Sequence, residues 1–302
     1  MQIDKLENFS KQIKGKLVFN YDLKKTNWFN IGGKTKAYFK PESLNELIFF
    51  LKEFGKKEKI FILGAGSNIL INDEIFNGVV IKLGKNFSNI SLLNETTLIA
   101  GGSTKDKTLS EFAKENNIGG FEFLSAIPGT VGGGIRMNSG CFESEFKDII
   151  ISVQVLDYFG NIFTVPSDKI NFLYRGSNLS EKYIFLSTSL KGFKKEKNEI
   201  EKKIKLLTNK KNMNQPTRVK TGGSTFKNPI TQTKKKVWQL IKESVPSSTK
   251  FGDAEISEKH ANFFVNKNNA KFEDMKKLIS FTISKVKKTT GIDINLEIKI
   301  IE

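Results

Sequence analysis

The sequence predicts an α+β protein of more than one domain, and three observations lead there. Segments with strand-like and helix-like apolar periodicity follow one another along the 302 residues without an internal repeat. Thirteen of the 24 glycines fall between Gly64 and Gly140, which points to tight turns and close chain approaches in one region. Residues 194–216, KKEKNEIEKKIKLLTNKKNMNQP, then change character abruptly to dense charge with the thin apolar stripe Ile200, Ile204 and Leu207. That stretch reads as an exposed helix ending before Pro216, a hinge between an α+β region and a C-terminal domain. A chain of this length has room for two or three domains.

The elements can be read in order. Ser43 with Glu46 three residues on has the form of a capping box, and Leu44, Leu47, Ile48, Leu51 and Phe54 supply a helical stripe after it. KIFIL (59–63) and GVVIKL (78–83) read as strands, and ISLL and TLIA as a hairpin turning at Asn94-Glu95. A helix is expected over about 106–117, with Leu109, Phe112 and Ala113 facing inward. Residues 147–166 read as two strands joined at Phe159-Gly160-Asn161, and 183–193 as another strand. Beyond the hinge come a helix at 234–244, a strand at 262–266, a helix at 272–289 and a last strand, DINLEIKII (293–301). In that strand Ile294, Leu296, Ile298 and Ile300 share one face, and Asn295, Glu297 and Lys299 the other.

Composition removes several function classes. The net charge of +17 raises the question of nucleic acid, but 46 of the 49 basic residues are lysine and only Arg136, Arg175 and Arg218 are arginine. Readers of base edges rely on arginine forks, so nucleic-acid binding stands as the alternative from a different class rather than the main reading. A basic surface equally draws in a small anionic substrate. One cysteine, Cys141, and one histidine, His260, exclude a disulfide framework and a zinc site of several Cys and His ligands; no metal is expected. No stretch approaches the roughly 18–20 apolar residues of a membrane span. Met1–Ser10 carries acidic residues and no apolar run, so it does not read as a secretory leader, and the reducing cytoplasm is the expected compartment.

Four segments are candidates for chemistry. GAGSN (64–68) follows a strand, the usual place for a backbone nest around an anion, and PGTVGGG (128–134) reads as a turn into a helix N-terminus, where unpaired N–H groups favour phosphate. Neither matches the dinucleotide fingerprint or the P-loop pattern. Taken alone, each is also an ordinary tight turn. Ser224, in GGSTFKNP (222–229), has no histidine near it in sequence, which suits a proton donor, or simply a loop serine, better than a hydrolase nucleophile. Tyr174-Arg175 and Glu297 are readable as surface residues or as site residues, and His260 and Cys141 as packed structural ones.

Taken together and in order, NWFNIGG (27–33), ILGAGSNILI (62–71), FEFLSAIPGTVGGGIRMNSG (121–140), FLYRGS (172–177), GGSTFKNP and SEKHANFFVN (257–266) resemble the UDP-N-acetylenolpyruvoylglucosamine reductase family of bacterial cell-wall synthesis. The short passage between GGSTFKNP and SEKHANFFVN is similar to its compact subtype. The resemblance implies a two-subdomain FAD-binding fold of the vanillyl-alcohol-oxidase/PCMH-like kind plus a C-terminal α+β substrate domain. The expected division is 1–84, 85–193 and 194–302. It further implies non-covalent FAD, NADPH as reductant, a UDP-sugar substrate, and no required oligomer, nucleic acid or membrane.

By the same resemblance, Arg175 and Glu297 stabilise developing charge and Ser224 donates a proton. Tyr174 and Asn228 hold the substrate. Gly64, Ala65, Gly66, Ser67, Asn68, Pro128, Gly129, Thr130, Gly132, Gly133, Asn138 and Gly140 hold FAD. Asn295 stands where the family is usually acidic, Gly252-Asp253-Ala254 where Gly-Gly-Ala is usual, and Val245-Pro246 where Ala-Gly is common. A flavin oxidase of the same cofactor-binding fold is the nearer competitor. Many of those tether flavin through His or Cys, and neither His260 nor Cys141 lies in an attachment motif.

Overall fold

The computed structural model describes residues 3–302; Met1 and Gln2, the start of the segment read as no secretory leader, lie outside the described residues. The chain divides into two compact units. The first comprises Met1–Asn20, Lys36–Ala65 and Asn77–Lys211, and the second Tyr21–Thr35, Gly66–Phe76 and Asn212–Glu302. This differs from the three consecutive blocks expected above. Two short N-terminal segments cluster with the C-terminal part, and the later break falls at 211/212 rather than 193/194.

In the first unit, a four-stranded sheet takes the order Lys16–Asp22, Lys34–Lys40, Phe76–Ile81, Ile60–Ile62, the last two parallel. Helix α1 (Ile3–Ser10), too short in apolar residues to be read from sequence, buries Leu6 and Phe9. Helix α2 (Leu44–Phe54) buries Leu47, Phe50, Leu51 and Phe54. Phe9 meets Phe39, Phe50 and Phe54 edge-on at 5.6–5.7 Å, and Phe39 lies 4.8 Å from Phe50. Each fully buried phenylalanine contributes about 1.5–3 kcal/mol of transfer free energy. The Ser43 hydroxyl caps the Glu46 N–H as expected, but the Glu46 carboxylate accepts from the N–H groups of Lys14, Gly15 and Glu42. The cap therefore also pins the chain arriving from α1.

The second layer of this unit is a five-stranded antiparallel sheet, ordered Ile162–Pro166, Ile150–Leu156, Ile184–Lys191, Thr97–Gly101, Ile90–Leu92. Its core gathers Leu109 and Ala113 of α3 (Asp106–Glu115), Val131 and Ile135 of α4 (Val131–Met137), and Leu207 of α5 (Lys197–Asn214). The expected hinge helix is thus packed along its Ile200, Ile204, Leu207 stripe.

The second unit has a four-stranded antiparallel sheet in the order Lys220–Ser224, Phe263–Asn266, Ala254–Ile256, Lys250–Phe251. Helices α6 (Val237–Ser244) and α7 (Phe272–Thr290) bury Leu240, Ile241, Met275, Leu278 and Val286 in its core. Phe29 and Ile31 of NWFNIGG are fully buried in that same core. Helix α6 starts three residues later than expected because the Asn228 side chain accepts the Val237 N–H. The last strand is also shorter than its alternation predicts, Lys299–Ile301. Residues 295–297 bridge to 225–227 through Lys227 N–H to Asn295 O and Glu297 N–H to Thr225 O, each 2.8 Å. The chain then changes partner and pairs in parallel with Ile69–Ile71. Alternation reports the buried face, and Ile294 and Ile298 are indeed buried; it does not report which neighbour the backbone takes.

Candidate active site

The predicted site residues fall into both units, and each half has its own construction. In the first unit, Gly64 ends the strand-following turn and Thr130 caps α4. An added Cβ on Gly64 would lie 2.9 Å from the Thr130 hydroxyl, and one on Gly133 would lie 3.4 Å from it. The start of GAGSN and the second glycine segment therefore converge on Thr130, with no other heavy atom near either glycine. The Lys82 ammonium donates to the Gly64 carbonyl; burial and the neighbouring Lys40 lower its pKa.

The helix N-terminus expected to offer free N–H groups is mostly spent. Val131 donates to Thr104 O and Gly132 to Gly102 O, both at 2.9 Å. Several of the second segment's glycines answer to packing instead. A Cβ on Gly134 would sit 2.1 Å from the Phe146 ring, one on Gly140 2.3 Å from the Ser144 carbonyl, and one on Gly129 2.3 Å from a carboxylate oxygen of Asp106. Ala65, Pro128 and Gly132 supply the backbone between these points, Gly132 tightly against Gly102 O.

Asn138 takes the left-handed conformation that ends α4 (φ 40°), and its amide is committed to the protein. It donates to Glu145 and to Leu173 O and accepts from Lys147 N–H. It forms a post for Arg175, whose guanidinium donates to Gly140 O at 2.8 Å and lies 3.5 Å from a Glu145 oxygen. Tyr174 and Arg175 occupy the turn between Phe172–Leu173 and Gly176–Ser177, Arg175 at φ 57° and 5.0 Å from the Tyr174 ring. Arg136 is different: its fork holds the carbonyls of Leu179, Ser180 and Tyr183 over the Phe185 ring. Of these two rare arginines, it is a brace for the chain.

In the second unit, Gly66 at φ 71° admits the close approach of Thr26 O, 2.2 Å from where its Cβ would be, and its carbonyl accepts the Trp28 N–H. The neighbouring Asn68 donates its amide to Glu297 O at 3.1 Å and accepts the Lys299 N–H at 2.9 Å on its carbonyl. Ser67 O is the atom nearest Gly223, which sits at φ 80° where the strand Lys220–Ser224 slips register. Ser224 follows, half-buried and opposite Phe263, and among the described residues its hydroxyl makes no hydrogen bond. The Glu297 N–H bonds the carbonyl of Thr225, so the last strand pairs with the residue that follows Ser224. Asn262 clamps the other side of this loop through both the N–H and the carbonyl of Phe226.

Sequence reasoning missed Lys82, Asn262 and the buried Asp106. A lysine inside the apolar run GVVIKL was the available signal for the first. His260 behaves as the structural residue it was read to be, accepting the Asn262 N–H between the Trp238 and Phe263 rings, its pKa lowered by burial. The Cys141 thiol donates to Phe123 O, and burial pushes its pKa up to about 11. Among the described residues no group of three or more His, Cys, Asp or Glu could hold a metal, and no helix is long and apolar enough to cross a membrane.

Known proteins are similar to this chain along nearly its whole length. Residues 35–166 match a family model described as FAD binding domain. Residues 215–301 match UDP-N-acetylenolpyruvoylglucosamine reductase, C-terminal domain. The UDP-N-acetylenolpyruvoylglucosamine reductase of Pelagibacter ubique is 61% identical over 302 residues, with 100% of each chain covered. That of Rickettsia typhi is 42% identical over 287 residues, 95% of this chain and 96% of its own. A crystal structure of the Thermus caldophilus enzyme superposes with a TM-score of 0.81 at 28% identity, covering 96% of this chain and 100% of that one. The chain belongs to the UDP-N-acetylenolpyruvoylglucosamine reductase family.

Proposed function

We propose that this protein reduces the enolpyruvyl group of UDP-N-acetylglucosamine enolpyruvate to give UDP-N-acetylmuramate, with FAD bound non-covalently and NADPH as the source of electrons, as a step of peptidoglycan precursor synthesis. The observation that carries the reading is the joint construction of Asn68, Ser224 and Glu297, tied by the bonds of Asn68 and Thr225 to the Glu297 strand. The family-wide similarity supports it.

The residues present suit FAD. Gly64 and Gly133 leave open space around the Thr130 hydroxyl that any side chain at either position would fill. The Lys82 ammonium, donating to the Gly64 carbonyl, stands at that turn. Backbone and a cation of this kind match a pyrophosphate. In this reading Gly64, Ala65, Gly66, Ser67, Asn68, Pro128, Gly129, Thr130, Gly132, Gly133 and Gly140 bind the cofactor, with Asn138 shaping the turn that ends α4. When bound, FAD supplies a two-electron relay from NADPH to the substrate double bond.

The chain's own residues handle the charge and the proton. Hydride addition at the terminal carbon leaves negative charge beside the substrate carboxylate. Arg175, and Glu297 as the protonated acid that donates its O–H, stabilise that charge, each at the level of about 3–4 kcal/mol expected of a fixed donor. The Ser224 hydroxyl delivers the proton to the carbon next to the carboxylate, so hydride and proton together saturate the double bond. Tyr174 and Asn228 position the substrate. The enzyme acts in the cytoplasm without a partner chain, in three functional sections, two for the cofactor and one for the substrate.

Purified protein is expected to be yellow, to release FAD on denaturation, and to sustain NADPH oxidation beyond one equivalent per flavin only when the enolpyruvyl substrate is added. A colourless preparation that binds duplex nucleic acid with a steep salt dependence would overturn the reading.

A further inference from the structure

Beneath the second glycine segment lies a carboxyl group that the reaction above does not use. Residues 102–106 run alongside 129–132, with Gly132 N–H on Gly102 O, Val131 N–H on Thr104 O, and Asp106 N–H on Gly129 O at 3.2 Å. Asp106 opens α3, is fully buried, and neither side-chain oxygen has a hydrogen-bond partner. Ser110, one turn on along α3, and Thr104 are likewise buried with unpartnered hydroxyls. The carboxyl stands where a side chain at 129 would go: a Cβ there would lie 2.3 Å from Oδ2 and 3.5 Å from the carboxyl carbon. Position 129 is therefore glycine because of Asp106, whatever else it offers a ligand.

No cation compensates this group. On α3 and its approach, Lys105 and Lys107 are exposed, and Lys114 pairs with Glu111 and Glu115. On the turn Glu122–Ala126, packed against α3, Glu122 lies near Lys195 and Lys203. On α4, Arg136 is bound to three carbonyls. Burial without a partner raises the Asp106 pKa well above the usual carboxylate range. An ionised carboxylate would put negative charge directly behind a segment that receives phosphates; the neutral acid does not.

We propose that Asp106 is a positioning residue for the cofactor: it stands behind Gly129 as a neutral carboxylic acid, sets the path of residues 128–133, and weakens FAD binding when it ionises. This rests on the assignment of FAD to that segment. The sign follows from the raised pKa. Cofactor binding is strongest while the acid is protonated and falls as pH rises through its folded-state value, the reverse of an ion-paired aspartate.

The test is titration of apoprotein with FAD, followed by flavin fluorescence, from neutral pH up to the alkaline limit of the folded protein. The unaltered protein is expected to lose affinity by about tenfold or more toward the alkaline end. Asp106→Asn is expected to follow it at low pH and to stay flat above. A parallel fall in both proteins overturns the proposal. A second arm needs no cofactor: Gly129→Ala is expected to lower the melting temperature of the apoprotein, and adding Asp106→Ala to recover it. Gly129→Ala melting like the unaltered protein, or gaining nothing from Asp106→Ala, also overturns it, even if Asp106→Asn fails to fold. Absence of FAD binding by the unaltered protein would sink the function assigned above along with this inference, whereas FAD binding with parallel pH profiles would sink the inference alone.

Discussion

The two units use glycine for opposite purposes. In the first, Gly64 and Gly133 keep space open around a single hydroxyl, while Gly129, Gly134 and Gly140 let a carboxyl, a phenylalanine ring and a neighbouring strand come close. In the second, Gly222 admits the Phe29 ring, 2.3 Å from its missing Cβ, and Gly66 and Gly223 supply positive φ shortly before Asn68 and Ser224. One unit subtracts side chains to make a cradle; the other subtracts them to aim the side chains next door. Glycine density thus marks close approach of chains, and only the space beside each Cα tells which glycines face a ligand.

The comparison is tested hardest at Ser224. Ser224→Ala is expected to leave flavin bleaching by NADPH intact and to slow reoxidation by the enolpyruvyl substrate by about 10²–10⁴-fold, read by stopped-flow absorbance. Full turnover in that variant would mean that the second unit aims nothing. Arg175→Lys is expected to slow the same half-reaction by roughly 10–100-fold, because a point charge replaces a planar fork held at Gly140 O.

Next come the glycines themselves. Gly134→Ala drives a methyl into the Phe146 ring and is expected to cost about 1–3 kcal/mol in chemical denaturation. Gly133→Ala meets only the Thr130 hydroxyl and is expected to keep the fold while weakening FAD. Equal loss of stability in both would erase the distinction between cradle and packing glycines. The smallest expected change is at Cys141. With its thiol pushed up to about 11, it is expected to react with iodoacetamide at pH 8 far more slowly than a free cysteine of pKa about 8.5, as mass spectrometry would show.

Much of this was legible where the signal is local. The α2 stripe, the hairpins of the five-stranded sheet and the length of α7 follow from periodicity, and Gly291 at φ 73° ends α7 as a glycine after a helix should. What stayed hidden depends on distant partners. NWFNIGG has no periodicity, yet its Phe29 and Ile31 are fully buried in a core made chiefly of residues beyond 212. The final alternating run was right about Ile294 and Ile298 and silent about pairing, where the backbone exchanges residues 225–227 for Ile69–Ile71 partway along. The candidate residues Ser224 and Glu297 could be named from motif resemblance, but the bond that ties the Glu297 strand to Thr225, next to Ser224, could not. Asp106 carried no signal at all, since a polar first residue of a helix is ordinary.

The three-segment make-up of the second unit also has a consequence for how the molecule comes into being. Asn68 and Glu297, which that unit bonds together, are 229 residues apart. Ile69–Ile71 have no strand to pair with until Lys299–Ile301 have been synthesised. During translation, Tyr21–Thr35 and Gly66–Phe76 must wait, with Phe29, Ile31 and Leu70 still unburied, until the residues beyond 212 have been made. Such high contact order slows folding and lengthens the exposure of apolar segments to aggregation. The half that aims Ser224 is therefore expected to be the last to form on the ribosome, and the one most dependent on chaperones.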